Sequence, residues 1–437
     1  MRLRVVWPIL MSAALFGADA DFTFVFMGDP HPAPAPYASF RAEIDWVRAN
    51  QPIWNIQSVL STGDYCQGGD SVPTKLAAMW SIWGDRPTGI DSLGIPWLTA
   101  IGNHDYEGQF LNPLGVRNST SFDAQMGYDR QTRKPWFESS FEGVNGKPNM
   151  AIRFTVGSHK FLVIALELFP RAEALQWASG VADKYSDHYV IYITHSYQKT
   201  NGARSSDADT NYGPARFSLP SSDASGDEMW DNLIKLKPNS LLVLSGHWIT
   251  GQPAGSVNWR ARHGRLTSIG NSGAQVHQLF TNYQEERNAG DGWLTLLKFR
   301  PAIGKIEVSQ IKTFNCTTGC ENPSWPAYEL SYSAPAASNQ PPAVRAGTYQ
   351  AIRFPQAATL RGVVTDDGLP ADARLSITWS KQSGPGTVIF ADATAIMTTA
   401  TFSQPGTYVL RLRANDTELT AFDDVQVSVR QPVRRSR

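Results

Sequence analysis

Three cysteines in 437 residues exclude a disulfide framework and a cysteine-built metal cluster. Cys316 and Cys320 stand close enough to bridge a small loop, which leaves Cys66 outside the bridge as a small buried residue. Net charge is also lacking, because 39 basic residues balance 39 acidic ones. That balance excludes general nucleic-acid binding through charge, and the only basic run surrounds Arg434 and Arg435 near the end. Long apolar runs are missing too. The amino-terminal one, 5–16, is interrupted by Pro8 and is too short to cross a bilayer, so the mature chain has no expected membrane span. Arg2 and Arg4 precede it and Ala18-Asp19-Ala20 follows it. Residues 1–20 therefore read as a secretory signal peptide, which makes the mature protein secreted or periplasmic.

Histidine is scarce, at eight residues, yet half of it falls in one recurring pattern. Apolar runs that read as buried strands end in polar clusters. Run 22–27 leads into Gly28-Asp29-Pro30-His31, and run 59–62 into Gly63-Asp64. Run 97–101 ends in Gly102-Asn103-His104-Asp105, run 189–194 in His195, and run 241–245 in Gly246-His247. A single strand-end Asp is ordinarily a turn or a helix cap. Five clusters of Asp, His and Asn in that position point to a shared site, since ligands gather at the carboxyl ends of strands in α/β sheets. Carboxylate, imidazole and amide oxygen, with no thiolate, suit Zn, Mn or Fe. Two such ions about 4 Å apart can clamp the attacking and leaving oxygens of a displacement at phosphorus. An imidazole beside them can stabilise the transition-state oxygens or protonate the leaving alkoxide.

On these motifs the chain resembles the calcineurin-like metallophosphoesterases. Their order is Asp-x-His, Gly-Asp, Gly-Asn-His-Asp/Glu, His and Gly-His-x-His, and it is followed here between Phe22 and Phe314. The resemblance implies an α/β fold with two packed mixed β-sheets flanked by helices. It implies two divalent metal ions (Fe, Zn or Mn). Asp29 and His31 would hold the first, Asp64 would bridge, and Asn103, His195 and His247 would hold the second. His104 would be the catalytic acid or phosphate-oxygen stabiliser, while Asp105 would orient the local backbone or His104. One position departs from the pattern: Ile249 stands where the last motif has its second His. Gln252, His263 or water are the candidates to replace that ligand.

The local pattern places helices at 37–50, 75–83, 174–185 and 227–235. Tyr106, Tyr197, Trp248 and Tyr283 are read either as pocket walls or as packing aromatics. Arg260, Arg262 and Arg265 are read first as a solvated loop face and second as phosphate contacts.

A linker-like stretch at 333–343 separates a catalytic domain, 21–332, from a region of short β-type runs, 344–430, with a basic tail at 431–437. The runs expected there are 358–364, 375–379, 388–390, 398–402, 407–414 and 422–429. Asp366-Asp367-Gly368, Thr378-Trp379-Ser380, Gly384-Pro385-Gly386 and Pro405-Gly406-Thr407-Tyr408 make this region similar to polycystic-kidney-disease-type Ig-like modules. That resemblance implies an all-β sandwich with Trp379 in its core, and a turn rather than a calcium site at Asp366-Asp367.

The expected function is an exported metal-dependent phosphoesterase acting on a phosphate ester. The alternative is a degenerate phosphoesterase scaffold that binds polysaccharide or a cell surface through the C-terminal module.

Overall fold

Near-continuous apolar runs become strands buried on both faces, as parallel sheets covered by other layers require. β1 (Phe22–Met27), β2 (Ile56–Ser61) and β3 (Trp97–Thr99) lie parallel in that order. The computed structural model describes residues 20–30, 37–66, 72–84, 88–107, 117–217, 223–251, 262–316, 320–321, 326–335, 339, 341–366 and 374–431. Residues 1–19 of the expected signal peptide, together with His31, Gln252, Arg260, Asp367, Gly368 and the tail from 432, lie outside the described residues.

A second sheet follows, built from β4 (Phe137–Phe141), β5 (Asn149–Val156), β6 (His159–Leu166), β7 (Tyr189–Thr194), β8 (Ser240–Ser245), β9 (His263–Ile269) and β10 (Gln275–Thr281). Its order is β4-β5-β6-β7-β8-β10-β9, with β6, β7, β8 and β10 parallel. The chain then returns to the first sheet as β11 (Trp293–Arg300), β12 (Lys305–Lys312), β13 (Cys320–Glu321) and β14 (Tyr328–Ser331). β11 pairs antiparallel with β1. Both sheets are therefore mixed.

The two sheets meet through aromatic rings. Phe24 of β1 lies edge-on to Phe161 of β6 at 4.9 Å, and Phe22 of β1 meets the same ring edge-on at 5.8 Å. Such pairs contribute about 0.5–1.5 kcal/mol each beyond their buried area. Helices cover the outer faces: α1 (Ala38–Asn50) and α2 (Val72–Trp83) by the first sheet, and later α5 (Ala172–Lys184) and α6 (Gly226–Asn232) by the second. Two short helices, α3 (Thr120–Gln125) and α4 (Tyr128–Gln131), precede β4. α1 buries Phe40, Ile44 and Val47 along one stripe and stops two residues before Pro52, which cannot continue it. Ser225 and Glu228 close α6 with a capping box. That helix ends at Asn232, and a separate 3₁₀ turn (Ile234–Leu236) follows, so the expected single helix at 227–235 is two pieces.

The chain divides into two compact units, the first ending at Ala336 and the second beginning at Ala337. The second holds β15 (Ala343–Arg345), β16 (Gln350–Arg353), β17 (Ala358–Arg361), β18 (Val363–Thr365), β19 (Ser376–Ser383), β20 (Val388–Phe390), β21 (Met397–Phe402), β22 (Gly406–Asn415) and β23 (Thr420–Arg430). A four-stranded sheet, β16-β23-β22-β19, and a three-stranded one, β17-β21-β20, enclose Trp379, Tyr408, Leu410, Leu412 and Val427. The expected single run 358–364 is broken at Gly362, where a Cβ would lie 2.5 Å from Leu412 Cδ2. Its halves join different sheets, because β18 pairs with β15.

Cys316 and Cys320 form a disulfide, and Cys66 is buried outside it. Among the described residues no helix is long and apolar enough to cross a membrane.

Candidate metal centre

The carboxyl ends of β1, β2, β3, β7 and β8 deliver Asp29, Asp64, Asn103, His195 and His247. Asp29, Asp64 and His195 each turn a ligand atom inward, and these atoms lie within 4.8 Å of one another. All three residues are buried. The turn after β2 brings Asp64 back toward β1. Gly63 and Asp64 both adopt left-handed backbone, at φ 89° and 60°. For Asp64 that conformation costs on the order of 1–3 kcal/mol and needs outside support. Asp105 supplies it. Its carboxylate accepts the N–H groups of Asp64 at 2.7 Å, Tyr65 at 2.7 Å, Cys66 at 3.2 Å and Gly102 at 3.0 Å. Gly102 admits no side chain, since a Cβ there would lie 2.1 Å from Asp64 Oδ1. The same oxygen accepts the N–H of His104 at 2.9 Å, which ties the half-buried His104 to the centre.

The two buried imidazoles have their tautomers set by backbone carbonyls. His195 Nδ1–H donates to the Thr62 carbonyl at 2.7 Å. Its Nε2 faces Asn103 Oδ1 at 3.0 Å, Asp64 Oδ2 at 3.2 Å and Asp29 Oδ2 at 4.0 Å. His247 Nε2–H donates to the Tyr212 carbonyl at 3.0 Å, which leaves Nδ1 with the lone pair. The His195 and His247 rings are 4.8 Å apart, and Phe169, Tyr212 and Phe217 surround His247.

Electrostatically the centre has surplus negative charge. Burial and the Asp64 carboxylate push Asp29 well above the usual carboxylate range. Burial and Asp64 likewise raise Asp105 to about 7. Burial opposes a charged His195, but the Asp64 and Asp29 carboxylates outweigh it and raise His195 to about 9. His247 moves the other way, to about 3, through burial and the charge of His195. The upward shifts of Asp29, Asp105 and His195 all favour added positive charge at this point, which a bound cation would supply. The donor set fits one. Asp29 Oδ1 is buried with no hydrogen-bond partner among the described residues, and the surrounding donors are carboxylate, imidazole and amide oxygens.

Two expectations need correction. His263 does not stand in for the ligand missing at Ile249. Its Nε2 is 2.6 Å from the Tyr283 hydroxyl, its Nδ1 is 3.4 Å from Thr281 Oγ1, and burial holds it near 3 as a neutral ring. Arg262 is not on a solvated face. It is 1% exposed and paired with Glu285 and Glu286, because a buried guanidinium requires carboxylate partners. Arg265 lies over the Tyr328 ring. Tyr106, Tyr197, Trp248 and Tyr283 are all buried, as packing aromatics are.

One residue escaped the sequence reading. Asn282 follows β10 directly, and its Nδ2–H donates to Asp29 Oδ2 at 3.0 Å. The strand before it reads Gln275-Val276-His277-Gln278-Leu279-Phe280-Thr281, in which polar residues outnumber apolar ones, so the strand-end pattern used elsewhere gave no signal for it.

The family model for calcineurin-like phosphoesterases matches residues 22–251, more than half of the 437-residue chain. The chain belongs to the calcineurin-like phosphoesterase family. The family generally uses a dinuclear metal centre, and the buried Asp29–Asp64–His195 group is present here. A PKD domain model matches residues 346–429 of this phosphoesterase. The chain is 24% identical over 291 residues to the uncharacterized protein YvnB of Bacillus subtilis (strain 168), covering 66% of this chain and 20% of YvnB. The chain thus spans about a fifth of that relative's length. Among solved structures, GAP50, the anchor in the inner membrane complex of Plasmodium, is similar at 11% identity. That match covers 72% of this chain and 89% of GAP50, with a TM-score of 0.36. The PKD domain of human KIAA0319 matches at 17% identity, over 25% of this chain and 97% of that domain, with a TM-score of 0.20.

Proposed function

We propose that this calcineurin-like phosphoesterase hydrolyses phosphate esters outside the cytoplasm, using two divalent ions of Fe, Zn or Mn. Asp29, His31, Asp64, Asn103, His195 and His247 are the residues that would hold them. The observation that carries this reading is the buried Asp29–Asp64–His195 cluster with Asp29 Oδ1 lacking a protein partner among the described residues. Bound divalent ions lower the pKa of water and set positive charge against the phosphoryl oxygens.

The chain's own residues do the rest. Asp64 stands between the strand ends and would serve both ions. Asn103 contributes a neutral oxygen beside His195. The Thr62 carbonyl keeps the His195 proton on Nδ1, so Nε2 faces the centre. His104, held by its backbone at Asp64, would deliver a proton to the leaving alkoxide or stabilise the phosphoryl oxygens. Burial of the carboxylates keeps bulk water from screening these charges.

The disulfide and the PKD module support export, since disulfides persist in oxidising compartments. The module would contact polysaccharide or a cell surface. Ile249 is the observation that favours the scaffold alternative, because an apolar side chain stands where the last motif has its second His.

Chelator-stripped protein, assayed with an aryl phosphomonoester and a diaryl phosphodiester, tests the reading. Hydrolysis of at least one that requires added Mn, Zn or Fe is the expected result. No hydrolysis with any of the three metals would favour the scaffold.

A further inference from the structure

The environment of Asp29 is one-sided. Oδ1 lacks a partner among the described residues, whereas Oδ2 accepts two hydrogen bonds, from the His247 N–H and from Asn282 Nδ2–H, each at 3.0 Å. Asn282 is itself buried. Its orientation is decided by its neighbours. Nδ2 faces two acceptors, Asp29 Oδ2 and, at 3.3 Å, the Trp248 carbonyl. Oδ1 accepts the Gln284 N–H at 2.9 Å. A flipped amide would oppose oxygen to oxygen on one side and N–H to N–H on the other, so this side chain is a donor to Asp29 and not a ligand in waiting.

The same residue also joins two loops. Through Trp248 it reaches the segment after β8 that carries His247, Ile249 and Thr250. Its own N–H donates to the Arg262 carbonyl at 3.1 Å. Arg262 pairs with Glu285 and Glu286, and Glu285 accepts the Thr250 N–H at 2.9 Å and hydroxyl at 2.8 Å. The loops after β8 and β10 are thereby clamped together, with Asn282 at the point where the clamp meets Asp29.

We propose that Asn282 is a positioning residue of the cation site: it engages Oδ2 of Asp29 so that Oδ1 is presented to the ion, and it holds the 246–250 loop against the same carboxylate. This rests on the reading of Asp29 as a metal ligand. Hydrogen-bond partners of a ligating group set its direction and basicity, and losing one costs about 10–100-fold in metal affinity.

The test is a Mn²⁺ titration of the chelator-stripped full-length protein, followed by the electron paramagnetic resonance signal of free Mn²⁺. It compares the natural protein with Asn282→Ala and Asn282→Ser. The proposal expects Asn282→Ala to weaken the affected ion by about 10–100-fold. It expects Asn282→Ser, which keeps one donor, to fall between. Hydrolysis by Asn282→Ala should need correspondingly more Mn²⁺ yet approach the natural kcat at saturation, a pattern that a general loss of structure does not give. Affinity in the folded Asn282→Ala protein within twofold of the natural one would overturn the proposal. If Asn282→Ala does not fold, the same criterion applies to Asn282→Ser. A natural protein that binds no Mn²⁺, Zn²⁺ or Fe²⁺ would instead overturn the metal-site reading itself, and the proposal with it.

Discussion

The two units of this chain treat polar groups in opposite ways. In the phosphoesterase unit, carboxylates and imidazoles are buried at strand ends, with Asp64 and His247 at positive φ and Asp29 Oδ1 left without a partner among the described residues. In the PKD unit the two large polar aromatics of the core are satisfied, and a buried atom without a partner among the described residues, Asp416 Oδ2, lies in the turn after β22. Trp379 Nε1 donates to the Ala395 carbonyl at 3.1 Å and the Tyr408 hydroxyl to the Gln404 carbonyl at 2.7 Å. One unit carries strain and surplus charge where its strands converge. The other spends its buried atoms on packing. Departures from local rules often mark where a structure keeps groups ready for a ligand. Asp29, Asp64 and His247 bring three of them to one point, whereas in the PKD unit Thr417, at φ 92° beside the buried Asp416, stands away from any such cluster among the described residues.

Four changes break or sharpen that contrast. Asp64→Asn should have the largest effect. It removes charge from the centre of the cluster while keeping its shape, and should lower kcat for an aryl phosphate by about a thousandfold or more, since metal-assisted charge stabilisation is worth several kcal/mol. Circular dichroism should show both units still folded. His104→Ala should follow, at about 10²–10⁴-fold in kcat, with metal content measured by elemental analysis close to the natural protein. Loss of one metal equivalent would instead move His104 among the ligands.

Trp379→Ala acts on the other unit. A buried Trp truncated in a core should cost about 3–5 kcal/mol there, seen as an earlier calorimetric transition, with hydrolysis unchanged. Lost activity would mean that the sandwich contributes to the reaction.

Mild acid should separate the units by the smallest amount. His263 is held near 3 by burial, well below its ordinary value of 6.5. Its stabilisation is therefore complete above pH 6.5 and declines as the pH falls from there toward 3. Between pH 6.5 and 5 the loss is about 2 kcal/mol. All eight histidines precede residue 278, so the PKD unit lacks this term. Raised carboxylates such as Asp105 act with the opposite sign in the first unit, so the reading is a difference: the stability gap between His263→Gln and the natural protein should change by about 2 kcal/mol between pH 6.5 and 5.

The strand ends were legible in the sequence because each buried parallel strand is an unbroken apolar run, and a polar residue at its end has few other places to be. That logic found Asp29, Asp64, Asn103, His195 and His247, while the helices expected at 37–50 and 174–185 from their own periodicity are observed at Ala38–Asn50 and Ala172–Lys184. That logic does not reach Asn282, because the strand before it interleaves Gln275, His277, Gln278 and Thr281 with Val276, Leu279 and Phe280. Arg262 was not legible. Its burial depends on Glu285 and Glu286, more than twenty residues away across β9 and β10, and no local pattern reports that pairing. β15 and β16 were missed for a similar reason. They are three and four residues long, and their pairing with β18 and β23 gives them their identity as strands.

Metal stoichiometry tests the central claim most directly. Chelator-stripped full-length protein should be dialysed to equilibrium against Mn²⁺ at neutral pH, and bound Mn²⁺ counted per chain, beside Asp64→Asn under identical conditions. Two ions bound by the natural protein, and a clear loss in Asp64→Asn, is the predicted result. No bound ion in the natural protein, or the same number in both, would contradict the assignment of the strand-end cluster as a metal centre.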